Sequence, residues 1–305
     1  QKILTFPKER FGSLASAGEA GDPVDPATGN FHDLWVDLGA QNGAFGMDVT
    51  RGYNSGDSSS TTLGLGWRSP FSQTLRQDPD GSWRLVNDEG RNIVYHPDGA
   101  GGWLQPSEFS GELVGTPPDT IEFPTGEEWS FDGSGNLATL TNWDGQSVTL
   151  TRNGLGAPTV ATASSGPTLA FTYDGSNRLD TVTSSDGRSV TYGYDLSGHL
   201  GSVTGPDGAI TTLTSSADGL VATITDPEGV VLIDNTYDTR GRVDSQATPQ
   251  GDATFTYDDA TGDTTVTLSP GGETITYHHD VRGRMTGITD GASESASRTY
   301  DANGW

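Results

Sequence analysis

Forty-one carboxylates and five imidazoles are what this 305-residue chain offers to acid–base, metal or hydrolytic chemistry. Cysteine is absent, so neither a thiolate metal site nor a disulfide framework can form. The histidines are His32, His96, His199, His278 and His279, and none has the His-Glu-x-x-His spacing of a zinc site. No Gly-x-Ser-x-Gly elbow and no Walker-type phosphate loop occurs. With so many carboxylates, pairs meet by chance, and the sequence nominates no acid and base. Asp132-Gly133-Ser134-Gly135-Asn136 spaces oxygens like the start of a calcium loop, with Asp132, Ser134 and Asn136 as candidate ligands. The twelfth position of that loop is Trp143 rather than Glu, so a turn is the better reading. Seven tryptophans (Trp35, Trp67, Trp83, Trp103, Trp129, Trp143 and Trp305) could stack on sugars, but in so apolar-poor a chain they are expected in the core. No catalytic residue and no cofactor is expected.

Stepping from residues to elements, one short word recurs. It is an aromatic followed by Asp, then two or three residues, then Gly or Asn and often Arg. The copies are Phe131-Asp132…Asn136, Tyr173-Asp174…Arg178, Tyr194-Asp195…His199, Tyr237-Asp238…Gly241-Arg242, Tyr257-Asp258…Gly262, His279-Asp280…Gly283-Arg284 and Tyr300-Asp301…Gly304. Successive Asp positions lie 20 to 22 residues apart, as in 174 to 195 and 258 to 280, and the longer gaps leave room for degenerate copies near Asn153 and Ser215. A fixed period of this size marks a repeat architecture whose units share a core. A second turn follows about ten residues after each word, as in Asp144-Gly145, Asp186-Gly187 and Asp207-Gly208. Between turns the residues alternate and are rich in Thr, Val and aromatics, as in Val190-Thr191-Tyr192-Gly193-Tyr194, which is a strand signal. The expected fold is all-β, a long antiparallel meander. Aliphatic pairs three residues apart after each word (Leu137 and Leu140, Leu179 and Val182, Leu200 and Val203, Met285 and Ile288) predict a bulge in that strand. The Asp and Arg of the word are expected to lock its turn.

The N-terminal third reads differently. Residues 1–20 form a polar arm, residues 21–128 a module that looks like longer, irregular versions of the repeat, and residues 129–305 about eight regular repeats, the last truncated. Pro117-Pro118 is expected to mark a joint. A net charge of −25 repels a phosphate backbone, so nucleic acid is not an expected partner. No apolar run is long enough for a membrane helix, and no signal is visible at the start.

The Tyr-Asp-x-x-Gly-Arg word resembles the YD repeats of bacterial Rhs proteins, wall-associated polymorphic toxins and animal teneurins. Gly21 to Trp67, with Asp22-Pro23-Val24-Asp25, Arg51-Gly52-Tyr53-Asn54-Ser55 and Leu63-Gly64-Leu65-Gly66-Trp67 in order, is similar to the module that introduces many Rhs arrays. The resemblance covers residues 20–305. It implies an antiparallel sheet spiralling into part of a hollow shell that encloses a toxic C-terminal domain until delivery, hence a secreted or cell-surface bacterial protein. The partners it implies are the protein's own C-terminal cargo or further repeats. The chain ends inside a word, which points to a fragment and to end-to-end self-association through a free sheet edge. The paired Asp-Pro-x-Gly-Leu segment used for self-cleavage is missing, and Asp226-Pro227-Glu228-Gly229-Val230 reads as a turn. Thr at alternate positions would give both sheet faces a polar character. The leading reading is a non-catalytic shell segment; the alternatives are a cell-surface adhesion or carbohydrate-binding module and, without a motif to support it, a hydrolase.

Overall fold

Period-two alternation gives each repeat strand an apolar face and a threonine face, and short turns make neighbours in sequence neighbours in space. The computed structural model, which describes residues 19–106, 109–291 and 293–300, shows the result. Nineteen strands, from Glu112–Gly115 to Ser293–Ser297, form one sheet in which spatial order equals chain order and every pair is antiparallel. Thr116-Pro117 is the turn of the first hairpin, with Gly115 paired to Pro118, so this segment is a turn inside the sheet and not a joint.

The predicted bulge is present. Phe131 pairs with Leu137 while Ser130 pairs with Thr139, so Ala138 has no partner across the strand. The same register shift recurs at Tyr173, Tyr194, Ser215, Tyr237 and His279. The Tyr257 copy instead pairs straight through, Tyr257 to Thr264 and Asp258 to Asp263. Each bulge turns both members of the aliphatic pair inward: Leu137, Leu140, Leu179, Val182, Leu200, Val203, Val221 and Ile224 are all buried. Burying one such side chain contributes about 1.5–3 kcal/mol.

These apolar residues are covered by the N-terminal part of the chain, which builds small sheets of its own. Asn30–Leu38 pairs with Val24–Asp25 and Val49–Asn54, and the latter with Trp67–Arg68. Thr74–Gln77, Trp83–Val86 and Asn92–Tyr95 form a separate three-stranded sheet. Phe71 meets Phe171 edge-on at 5.3 Å, and a Cβ on Gly46 would sit 3.1 Å from Val148. The opposite face carries exposed Thr149, Thr162, Thr172, Thr191, Thr214 and Thr236, with cross-strand hydroxyl pairs such as Thr214–Thr223 at 2.7 Å. The expectation of two polar faces is therefore corrected. One face is apolar and roofed, because the bulge places both aliphatics of every repeat on the same side.

Trp67 is buried, stacked against Tyr53 at 4.8 Å and Trp35 at 5.4 Å. Trp83, Trp103 and Trp129 pack partly buried against the core, whereas Trp143 stands exposed at a turn, against expectation. Trp305 lies outside the described residues.

Candidate functional site

The word is a turn lock. In Asp174 the Oδ1 accepts the amides of Ser176 and Arg178, both at 2.9 Å, and Oδ2 takes Arg178 Nε at 2.8 Å. Asp238 with Arg242 and Asp280 with Arg284 repeat the arrangement. The backbone hydrogen bond from Arg178, then its side chain, hold the Asp174 carboxyl below the usual range. For Asp238 and Asp280 burial is the largest single influence and pushes upward, but the hydrogen bonds and charge of Arg242 and Arg284, together with backbone amides, outweigh it and the carboxyls again sit low. Gly241 and Gly283 occupy the left-handed region (φ 77° and 73°), and Asn177 takes the same slot at φ 61°. That explains the alternation of Gly and Asn in the word.

The word also joins one repeat to the next. Arg178 lies over the Tyr194 ring at 4.6 Å, Arg242 over Tyr257 at 4.2 Å and Arg284 over Tyr300 at 4.2 Å. The tyrosine hydroxyl then donates to the carbonyl of the first aliphatic of the preceding repeat. The bonds are Tyr173 to Pro158 (2.6 Å), Tyr194 to Leu179 (2.8 Å), Tyr237 to Val221 (2.7 Å), Tyr257 to Val243 (2.6 Å) and Tyr300 to Met285 (2.7 Å). Degenerate copies keep the function with other groups. Arg152, in the tyrosine slot of the Asn153 copy, donates Nη2 to the Leu137 carbonyl at 2.6 Å. His279 uses Nδ1 on the Gly262 carbonyl at 3.1 Å, and His199 stands 3.3 Å from Asp195 where Arg would be. Asn153 and Ser216 serve as the turn acceptors of the two weak copies.

While the carbonyl at the bulge goes to the next repeat, the amide goes to the N-terminal module. Leu137 N–H donates to the Gln73 carbonyl (3.1 Å), Leu179 to Thr62 (2.7 Å), Val221 to the Tyr53 hydroxyl (2.9 Å) and Val243 to Gly29 (2.9 Å). The slot between the first two is Pro158, which has no N–H to satisfy. Thr264 donates its hydroxyl to Pro26, and Tyr277 donates to Glu19 at 3.3 Å. The module thus runs along the sheet in reverse order. Its middle is fixed by a buried ion pair, Arg51 Nε to Asp37 at 2.9 Å, with the guanidinium 4.8 Å from Trp35 and 4.9 Å from Trp67. Tyr192 of the sheet donates to Asp37 at 3.0 Å. Burial raises the Asp37 carboxyl, with Arg51 opposing, and burial followed by the Asp37 charge raises the Tyr192 hydroxyl.

The candidate calcium ligands fall into this scheme. Asp132 Oδ1 accepts the amides of Ser134 and Asn136, and the Asn136 side chain turns back on Asp132. Among the described residues no three His, Asp or Glu side chains gather to hold a metal ion. Asp226 closes a turn with the Gly229 and Val230 amides, as read from the sequence. Phe131 has no hydroxyl and serves as a buried core residue. Asp301 lies outside the described residues. Sequence reasoning missed Tyr53, Arg152 and Thr264, whose partners lie in other repeats or in the other module. The one available signal was the charged Arg152 standing in an aromatic slot.

A sheet of word-bearing hairpins, roofed on one face by an N-terminal module, defines a YD-type shell protein. The profile of the family described as teneurin YD-shell matches residues 128–303, and a domain of unknown function (DUF6531) matches residues 21–95. The chain belongs to the teneurin YD-shell family. No curated protein matches it. Among solved structures it is similar to the crystal structure of TcdB2-TccC3-Cdc42, at 15% identity and TM-score 0.41 over 76% of this chain and 16% of that one. It is also similar to the Tc holotoxin pore of Photorhabdus luminescens, at 12% identity and TM-score 0.30 over 80% of this chain and 15% of that one. The chain therefore spans a small part of the proteins it matches, and likenesses this loose carry no argument beyond the family. No helix among the described residues is long and apolar enough to cross a membrane.

Proposed function

We propose that this chain is a non-catalytic wall segment of a YD shell that encloses or carries a C-terminal toxic domain for delivery to a target cell, acting outside the bacterium or at its surface. Residues 21–128 are its introductory module and residues 129–305 its regular wall. The observation that carries the reading is the single nineteen-stranded sheet, continuous in chain order and tied repeat to repeat through the tyrosine hydroxyls. Such a wall extends by adding repeats and needs no chemistry of its own.

The test is the intact mass and C-terminal peptide map of the protein from its native source, followed by limited proteolysis. On this reading the polypeptide continues past Trp305 through further words into a divergent domain. That domain resists protease until the wall is opened by denaturant. A native terminus at Trp305, or a downstream domain cleaved at once in the native protein, overturns the reading.

A further inference from the structure

A cavity of about 630 Å³ opens where three successive word turns face the N-terminal module, a volume suited to a small ligand. Two departures from the repeat create it. Leu220 stands in the slot that Arg178, Arg242 and Arg284 fill elsewhere, and the Tyr257 copy has no bulge, so its turn is one residue longer. On the module side the base carries Asn30, buried, whose Oδ1 accepts from Ser55 Oγ (2.9 Å) and the Gly56 amide (2.7 Å). An amide N–H can only donate, so Asn30 is fixed with Nδ2 as its outward donor, and Nδ2 has no hydrogen-bond partner among the described residues. A buried donor left unpaired is costly, which favours a ligand that brings an acceptor.

The charged groups decide the kind of ligand. Arg240 and Arg242 both pair with Asp259, Asp263 pairs with His278, and Asp258 accepts the Ala260 amide. The lining carries more carboxylates than guanidiniums, in a chain of net charge −25, so anions are disfavoured. Asp218 is the carboxylate left over, but a cation there would meet Arg240 across the mouth. A hydroxyl that both donates and accepts satisfies Asp218, Arg240 and Asn30 together, and Leu220 and the Tyr257 ring offer apolar surface to C–H faces. We infer that this cavity is a binding site for a neutral saccharide of one or two rings. The inference stands apart from the shell reading, and either can fail without the other.

The test is calorimetric titration of the 305-residue chain with maltose, cellobiose and N,N′-diacetylchitobiose. At least one is expected to bind with a Kd on the order of 1 mM. Asp218→Ala and Arg240→Ala, both at exposed positions, should each weaken it about tenfold, the loss of one hydrogen bond to a charged group. Ser58→Trp, which fills the mouth without removing a hydrogen bond, should abolish binding even if the other variants unfold. Trp143→Ala, at a turn on the opposite edge of the sheet, should leave binding unchanged. The site is overturned if none of the three sugars binds, if binding survives Ser58→Trp, if it depends on Trp143, or if a lysine or arginine tripeptide binds where the sugars do not.

Discussion

At the scale of single residues, the tyrosine hydroxyl distinguishes a wall from a row of hairpins. Tyr194→Phe removes the bonds to the Leu179 and Thr62 carbonyls while keeping the ring under Arg178. It should lower stability by about 1 kcal/mol, read as a shift in urea midpoint without a change in slope. Arg51→Met should cost about 3–5 kcal/mol, because it strands the buried Asp37 carboxylate; an Arg51→Met, Asp37→Leu double variant should recover most of that loss. Titration has two opposed parts. Asp174, Asp238, Asp258 and Asp280 have folded pKa values below the ordinary carboxyl value of about 3.9. Their contribution is fully present above that pH and is lost as pH falls through the folded values. Asp33 is pushed up to about 6 by burial, against the Leu34 amide that holds its charged form. It therefore costs stability at neutral pH and stops doing so as pH falls below its folded value. Urea midpoints should be highest between about pH 4 and 6; a midpoint that rises steadily up to pH 8 would contradict this balance.

At the scale of elements, much of this was legible. The period, the two turns per unit, the strand alternation and even the bulge follow from local residues, since Leu137 and Leu140 cannot share a face without one. The partners of the word were not legible, because each tyrosine meets a carbonyl about fifteen residues back and only the backbone is recognised, which leaves no side-chain signature. The roof was less legible still: Tyr53 to Val221 and Thr264 to Pro26 span 168 and 238 residues, and no periodicity records such contacts. Alternating Thr suggested two polar faces because the bulge reverses the phase of each strand where simple alternation is counted straight through. Tyr53→Phe tests the roof, for it leaves the Val221 amide buried without an acceptor. It should cost about 1–3 kcal/mol, more than Tyr194→Phe, although both remove one hydroxyl.

At the scale of the whole molecule, the sheet has two ends and one uncovered face. Threonines cover that face, and hydroxyl pairs such as Thr236–Ser245 at 2.7 Å keep its polar groups partly satisfied. Pairing of the terminal strands between copies is the expected association. Light scattering should show mass rising with concentration, and a strict monomer at high concentration would count against it. Cutting the module away should expose the row from Leu137 to Met285, so a chain beginning at Glu112 should bind ANS and aggregate where the full chain does not.

The reversed run of the module along the wall has a consequence for synthesis. Gln73 meets Leu137, Thr62 meets Leu179, Gly29 meets Val243 and Glu19 meets Tyr277, so the earliest residues off the ribosome find their places last. Each new hairpin can pair with the one before it at once, but its apolar side waits for a strap threaded from the far end of the message. Growth is local and sealing is global. The seal between Glu19 and Tyr277 closes only after 258 intervening positions have been made, which sets the moment at which the wall stops being a sticky intermediate.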